Sequence, residues 1–294
     1  MTAHDGEKQM ARSLRVALVS FRSDIFTALQ AGCVAAGHEV VLYVAGRSAR
    51  PRGQSYPNAG DKVNDILSVI PAEVDLLLPG DVDGLADALR GYRTDVVVVC
   101  GLSWRLPRVV LDAPRLGIIN VHPSLLPRHR GPMAIQWAIR DGEAETGVTA
   151  HWMDERIDTG NIIVQHGGIV LPEYVTYEQL WPQVTPVIQN VVAEALTLAA
   201  DGFVGEPQDD RKATHARMME PEYSYIDWSR QARSIHDQVR VFHYGAGIPG
   251  PFAKLDAGWV RVMRTSLEAG TGTRVECGDG PLWVVEAETV EAPL

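Results

Sequence analysis

Short apolar runs separated by segments of helical period set out this chain. Arg15 to Phe21 (RVALVSF) reads as a strand, Asp24 to Ala36 as a helix and Glu39 to Val44 as a second strand, a β-α-β opening. After a long polar connection, Ala45 to Asp61, a helix from about Lys62 to Val69 leads to a strand at Val74 to Leu78 and a helix at Val82 to Leu89. Asp95 to Cys100 (DVVVVC) is almost continuously β-branched, as in a central strand covered on both faces. A strand at Gly117 to Val121, a helix at Pro132 to Arg140, strands at Gly147 to Met153 and Asn161 to Leu171, and a long helix at Thr176 to Ala200 follow. This alternation predicts an α/β fold: an open, mostly parallel sheet with helices on both faces.

The pattern then changes. Gly202 to Thr214 turns to Gly, Pro, Asp and Gln, which marks a linker. Beyond it, Ser229 is a candidate N-cap for a helix running to about His243. A glycine and proline turn, Gly245 to Pro251, precedes four short strands near Phe252 to Leu255, Trp259 to Thr265, Thr273 to Cys277 and Leu282 to Ala287. The expected organisation is a flexible tail over 1–13, a main domain over 14–203, a linker over 204–220 and a small, mainly β domain over 221–294.

Composition removes several function classes. The 46% apolar content of 294 residues suits a packed core. The longest apolar run is the seven residues Val96 to Leu102, broken only by glycine, whereas a membrane span needs about 18. Met1 to Leu14 is polar and carries Asp5 and Glu7, unlike a secretory signal or transit peptide. Cys33, Cys100 and Cys277 are widely spaced among apolar neighbours, which points to buried free thiols in a reducing compartment, the cytoplasm, and to no metal-binding spacing. A formal charge of −10 weakens any case for a large nucleic-acid surface. In the connection at 45–61, Arg47, Arg50 and Arg52 either steer an anionic substrate or belong to a solvated loop. The turn Ser20-Phe21-Arg22-Ser23 lacks glycine, which excludes a Gly-rich phosphate cradle and with it NAD.

The candidate chemistry sits in Gly117 to Gly131 (GIINVHPSLLPRHRG) and in the later run GVTAHWMDERIDTGNII, which holds Asp158. Asn120 and His122 are two residues apart at the end of a strand, so their side chains leave on the same side. An amide donor, a titratable imidazole and a carboxylate to orient and charge it are the parts needed to attack a carbonyl and hold its oxyanion. Singly, each also fits a plainer role: a turn-capping Asn, a His bonded to backbone, an Asp in a turn. His151 shares a strand face with Thr149 and Met153 and reads as a hydrogen-bonding support.

Taken together, Asn-x-His-Pro-Ser-Leu-Leu-Pro, Arg-Gly, Gly-Val-Thr and Asp-Thr-Gly resemble the folate-dependent formyltransferases, over about Arg15 to Gln165. The resemblance implies a Rossmann-like main domain and places the catalytic roles on Asn120, His122 and Asp158. It further implies 10-formyltetrahydrofolate as co-substrate, its pterin lying between Arg105 and Leu106 on one side and Met153, Asp154 and Glu155 on the other. Trp104 and Leu106 also fit a purely core role. The C-terminal part resembles the start of the barrel found in methionyl-tRNA and sugar-amine branches of the family, but about four strands fit where an OB barrel has five. The purine-pathway branch carries a glycine-rich phosphate loop that this chain lacks.

Residues 211–294 hold ten Lys or Arg against eleven Asp or Glu, a net charge of −1. A module that grips an RNA acceptor stem is expected to be basic. The balance therefore points to a small-molecule amine: an amino sugar, free or nucleotide-linked, or an amino-acid-derived amine or hydroxylamine. A tRNA acceptor is the alternative. Hydrolysis of the formyl donor and a folate-binding protein without transfer activity are the further readings. The C-terminal module is expected to grip substrate or to form a homodimer.

Overall fold

The computed structural model describes residues 13–45, 64–102, 105–256 and 258–293. Arg47, Arg50, Arg52, Lys62, Ser103 and Trp104 lie outside the described residues. The chain falls into two compact units. One comprises Met1–Val121, Thr149–Gln165 and Ile188–Gln208, the other His122–Val148, His166–Val187 and Asp209–Leu294.

The strands of the main sheet are β1 (Arg15–Ser20), β2 (Glu39–Ala45), β3 (Asp75–Leu77), β4 (Val96–Val99), β5 (Gly117–His122), β6 (Glu145–Trp152) and β7 (Ile162–Val170). Their order is β3-β2-β1-β4-β5-β6-β7. Parallel ladders join β1 to β2, β2 to β3, β1 to β4 and β4 to β5. The chain thus works outward from β1 to β3, then returns to lay β4 and β5 on the other side of β1. That reversal opens the crevice in which open α/β sheets hold ligands, beyond the carboxyl ends of the strands.

In the first unit, α1 (Ser23–Ala35), α2 (Val82–Gly91) and the short α3 (Arg108–Leu111) follow β1, β3 and β4. Asp81 caps α2 by accepting from Gly84 N at 2.7 Å. All four valines of β4 are at most 1% exposed, each contributing roughly 1.5–3 kcal/mol of burial free energy. They explain why a β-branched run belongs at the sheet centre. One apolar cluster gathers Val97 and Val99 with Leu89, Leu106, Val110 and Ile118.

The second unit holds α4 (Ala134–Arg140) and α6 (Ala232–Tyr244), while α5 (Tyr177–Ala200) runs through both units. Thr176 and Gln179 cap α5 reciprocally, Gln179 N donating to Thr176 Oγ1 and Thr176 N to Gln179 Oε1. Strands β8 (Phe252–Leu255), β9 (Gly258–Ser266), β10 (Thr273–Cys277) and β11 (Gly280–Thr289) form a separate antiparallel sheet ordered β10-β11-β9-β8. Ile235 and Val239 of α6 join Ala253, Val262, Leu282 and Val284 in its core.

Two local expectations are corrected. Ser229 does not cap α6: it lies two residues before the N-cap position, Gln231, and its N–H and hydroxyl donate to Asp227 Oδ1 in a local turn. The helix begins at Ala232, whose N–H donates to Asp279 Oδ1 at 2.7 Å. Cys33 and Cys100 are buried, but Cys277 is only half-buried, since β10 is an edge strand. Among the described residues no helix is long and apolar enough to cross a membrane.

Candidate active site

Strand β5 carries the first candidate side chains to its carboxyl end. Its parallel register with β4 sets Asn120 level with Val99, beside the point where the strand order reverses. Asn120 is 8% exposed. Its Nδ2 donates to Asp158 Oδ1 at 3.1 Å and stands 3.1 Å from His151 Nε2. The second nitrogen of His151, Nδ1, lies 2.8 Å from the Trp152 carbonyl. A carbonyl can only accept, so Nδ1 carries the proton and Nε2 accepts from the Asn120 amide. Both amide hydrogens of Asn120 are thus engaged. Donating to a developing oxyanion requires one of them to leave His151 or Asp158.

Asp158 sits in the loop 153–161 between β6 and β7 with a left-handed φ of +54°. Its environment holds it there. Gln208 Nε2 donates to the carbonyls of Asp158 and Gly160 at 3.0 and 2.8 Å. Asp154 accepts from Thr159 Oγ1 and from Arg156 N. Trp152 N donates to Asn161 O, and Met153 N to Ile118 O at 2.8 Å, stitching the loop base to β5. Gly160 is required by close approach, since a Cβ there would lie 1.8 Å from the Trp152 carbonyl oxygen.

His122, the last residue of β5, belongs to the second unit and is 5% exposed. Its Nε2 donates to the His129 carbonyl at 2.9 Å.

The residues assigned to the pterin walls divide. Leu106 is 4% exposed within the apolar cluster of the first unit, and Met153 packs against that same cluster. The cluster encloses a cavity of about 10 Å³ lined by Val19, Val99, Leu102, Leu106, Val110 and Ile118 among others, room for a single water. Arg105 is exposed. Asp154 is turned into its own loop, and Glu155 reaches Arg108 Nε at 3.0 Å. The packing therefore brings Leu106 and Met153 together and leaves the three polar residues outside that apolar space.

Comparison with known proteins decides the family. The formyl transferase family model matches residues 14–196. The chain belongs to the formyl transferase family. Among its relatives, the methionyl-tRNA formyltransferase of Citrifermentans bemidjiense is 33% identical over 267 residues, covering 85% of this chain and 81% of that one. Two solved structures share the fold of this formyl transferase. The N-formyltransferase from Helicobacter canadensis, in complex with folinic acid and dTDP-3-aminofucose, aligns with a TM-score of 0.63 at 14% identity, covering 94% of this chain and 100% of its own. HypX from Aquifex aeolicus, in complex with tetrahydrofolic acid, aligns with a TM-score of 0.62 at 19% identity, covering 94% of this chain and 44% of its own.

Sequence reasoning named His151 as a support but not its place between Asn120 and Asp158, and it missed Gln208. The Thr149-His151 alternation was the signal for the first. For Gln208 only a turn-rich composition was present.

Proposed function

We propose that this enzyme transfers a formyl group from 10-formyltetrahydrofolate to the amine of a small molecule, an amino sugar or an amino-acid-derived amine or hydroxylamine. The observation that carries the chemistry is the Asn120 amide shared between Asp158 and His151 at the carboxyl end of β5. The amine nitrogen attacks the formyl carbon, forming a C–N bond while negative charge builds on the formyl oxygen. Asn120 and protonated His122 stabilise that oxygen, an effect of roughly 2.7–4 kcal/mol per donor. Asp158 takes the proton released by the amine. Collapse breaks the bond from the formyl carbon to N10, His122 supplies the proton that lets tetrahydrofolate leave, and the amine proton held by Asp158 is relayed back to His122 to restore the starting state.

Leu106 and Met153 supply the apolar wall for the pterin ring, with Arg105, Asp154 and Glu155 at its polar edge. A space of about 10 Å³ does not admit a bicyclic ring, so the ring lies at the mouth of this cluster or parts it. The module at 221–294, reached through 204–220, serves the acceptor or a second copy of the chain.

The near-neutral charge of residues 211–294 supports a small acceptor over an RNA stem. The methionyl-tRNA formyltransferase relatives favour the second reading, a tRNA acceptor. Tetrahydrofolate release from 10-formyltetrahydrofolate separates them. One series contains charged initiator tRNA and the other a pool of amino sugars and small amines. Release in the second series alone is expected. Release with tRNA alone replaces the acceptor, and release without any acceptor replaces transfer by hydrolysis.

A further inference from the structure

The second unit ties His122, through the backbone carbonyl of buried His129, to a group of partly exposed charged side chains. His129, with a φ of +57°, lies in the left-handed region, which costs a residue with a Cβ about 1–2 kcal/mol. Several bonds hold it there. Its N–H donates to Thr214 Oγ1 at 2.8 Å, Arg130 N donates to Thr214 O at 2.9 Å, and Ala216 N donates to Arg130 O at 2.7 Å. Just before it, Ser124 Oγ donates to Arg128 O at 2.7 Å. The His129 carbonyl is thereby aimed at His122 and accepts its Nε2–H at 2.9 Å.

The His129 side chain is 3% exposed. Its Nε2 bonds Glu143 Oε1 at 2.7 Å and its Nδ1 lies 3.8 Å from Asp141 Oδ2. Arg128 also pairs with Glu143. Ligand atoms of His129, Asp141 and Glu143 fall within 4.8 Å of one another, but Arg128 already pairs with Glu143, so the group acts as a clamp on the His129 side chain.

We propose that His129 is a positioning residue. Its carbonyl fixes the Nε2–H form of His122, so that Nδ1 is the nitrogen that exchanges its proton during turnover, and its side chain, gripped by Glu143, keeps that carbonyl in place. A carbonyl offers no proton, so the opposite tautomer would lose this bond and set two acceptors 2.9 Å apart. The tautomer follows from geometry alone, whereas its use in turnover rests on the formyl-transfer reading.

Nitrogen-15 NMR of histidine-labelled full-length protein tests it at alkaline pH, with His122 assigned by its loss in His122→Gln. The expected pattern is a protonated Nε2 and an unprotonated Nδ1. His129→Leu removes the side-chain grip and should move both shifts toward averaged values. With an acceptor amine, kcat should fall roughly 10- to 100-fold at unchanged KM for the formyl donor. Glu143→Gln keeps an oxygen acceptor for His129 and should retain the wild-type shifts. If His129→Leu does not fold, Thr214→Val removes the acceptor of the His129 N–H and gives the same readout. A protonated Nδ1 in the wild type overturns the proposal, as do unchanged shifts and kcat in a folded His129→Leu or Thr214→Val. The expected shifts without formyl transfer to any acceptor would leave the tautomer assigned and remove the transfer reading instead.

Discussion

Asn120 donates its side-chain amide to Asp158 across 3.1 Å while also facing His151 Nε2 at the same distance. The amide therefore restrains the carboxylate, and it meets an oxyanion only when one hydrogen leaves His151 or Asp158; the two functions separate by substitution. Asn120→Ala removes both, and kcat for tetrahydrofolate release should fall about 10²- to 10³-fold with the KM for the formyl donor little changed. His151→Ala leaves the amide in place and releases one of its hydrogens, so its loss in kcat should be smaller. A larger loss in His151→Ala than in Asn120→Ala would give the oxyanion role to the imidazole.

Gln208 spans 50 residues of sequence to hold the Asp158 backbone. Gln208→Ala deletes two hydrogen bonds to carbonyls, each contributing about 1 kcal/mol, from a loop whose Asp158 is in a left-handed conformation. The predicted result is a moderate loss of stability and a larger proportional loss of kcat, because the carboxylate is no longer fixed. Paired urea unfolding and initial-rate measurements check this; full activity with lowered stability would make Gln208 a purely structural tie.

Gly160 offers a sharper test of the same loop. The Cβ of Gly160→Ala would sit 1.8 Å from the Trp152 carbonyl oxygen and 2.8 Å from its carbon. Backbone atoms cannot rotate aside, so the loop has to move, at a cost of about 3 kcal/mol or more. Gly91→Ala is the control. Its Cβ meets nothing within 4 Å at the end of α2, and helix propensity predicts no loss and up to about 1 kcal/mol gained. Unfolding midpoints of the two variants should therefore move in opposite directions or leave Gly91→Ala unmoved.

What the sequence made legible was local. The valine run of β4 needed no partner to be read, because four β-branched residues buried on both faces have few other homes. The Asn120-x-His122 spacing was readable because strand alternation is a property of the backbone itself. Contacts between distant segments were not readable. His151 meets Asn120 from 31 residues away, and Gln208 comes from a stretch whose composition announces turns without saying what their side chains grip. Ser229 looked like a helix cap, yet the helix starts three residues later, where Asp279, 47 residues beyond Ala232, accepts its N–H. Local patterns lose wherever a distant group satisfies the same donor better.

Acid stability of the second unit turns on a buried imidazole. His236 is fully buried on α6, its Nδ1 2.9 Å from Thr265 Oγ1 and its Nε2 3.2 Å from Glu173 Oε1. Burial lowers its pKa from 6.5; Asp237 and Glu173 oppose this, and Arg240 and Arg233 reinforce it. The ring of Tyr174 packs edge-on against it. The neutral imidazole is thus the folded form. Between the lowered value and 6.5 the unfolded chain binds a proton that the folded chain does not, so stability is complete above pH 6.5 and is lost as pH falls below it. Carboxylates elsewhere also titrate in acid, so the measurement is a difference. His236→Gln, which keeps a polar group toward Thr265, should flatten the decline in melting temperature below pH 6.5 relative to the wild type. A decline steeper in His236→Gln than in the wild type would mean that Glu173 and Asp237 outweigh desolvation, and that the fold takes up this proton rather than excluding it.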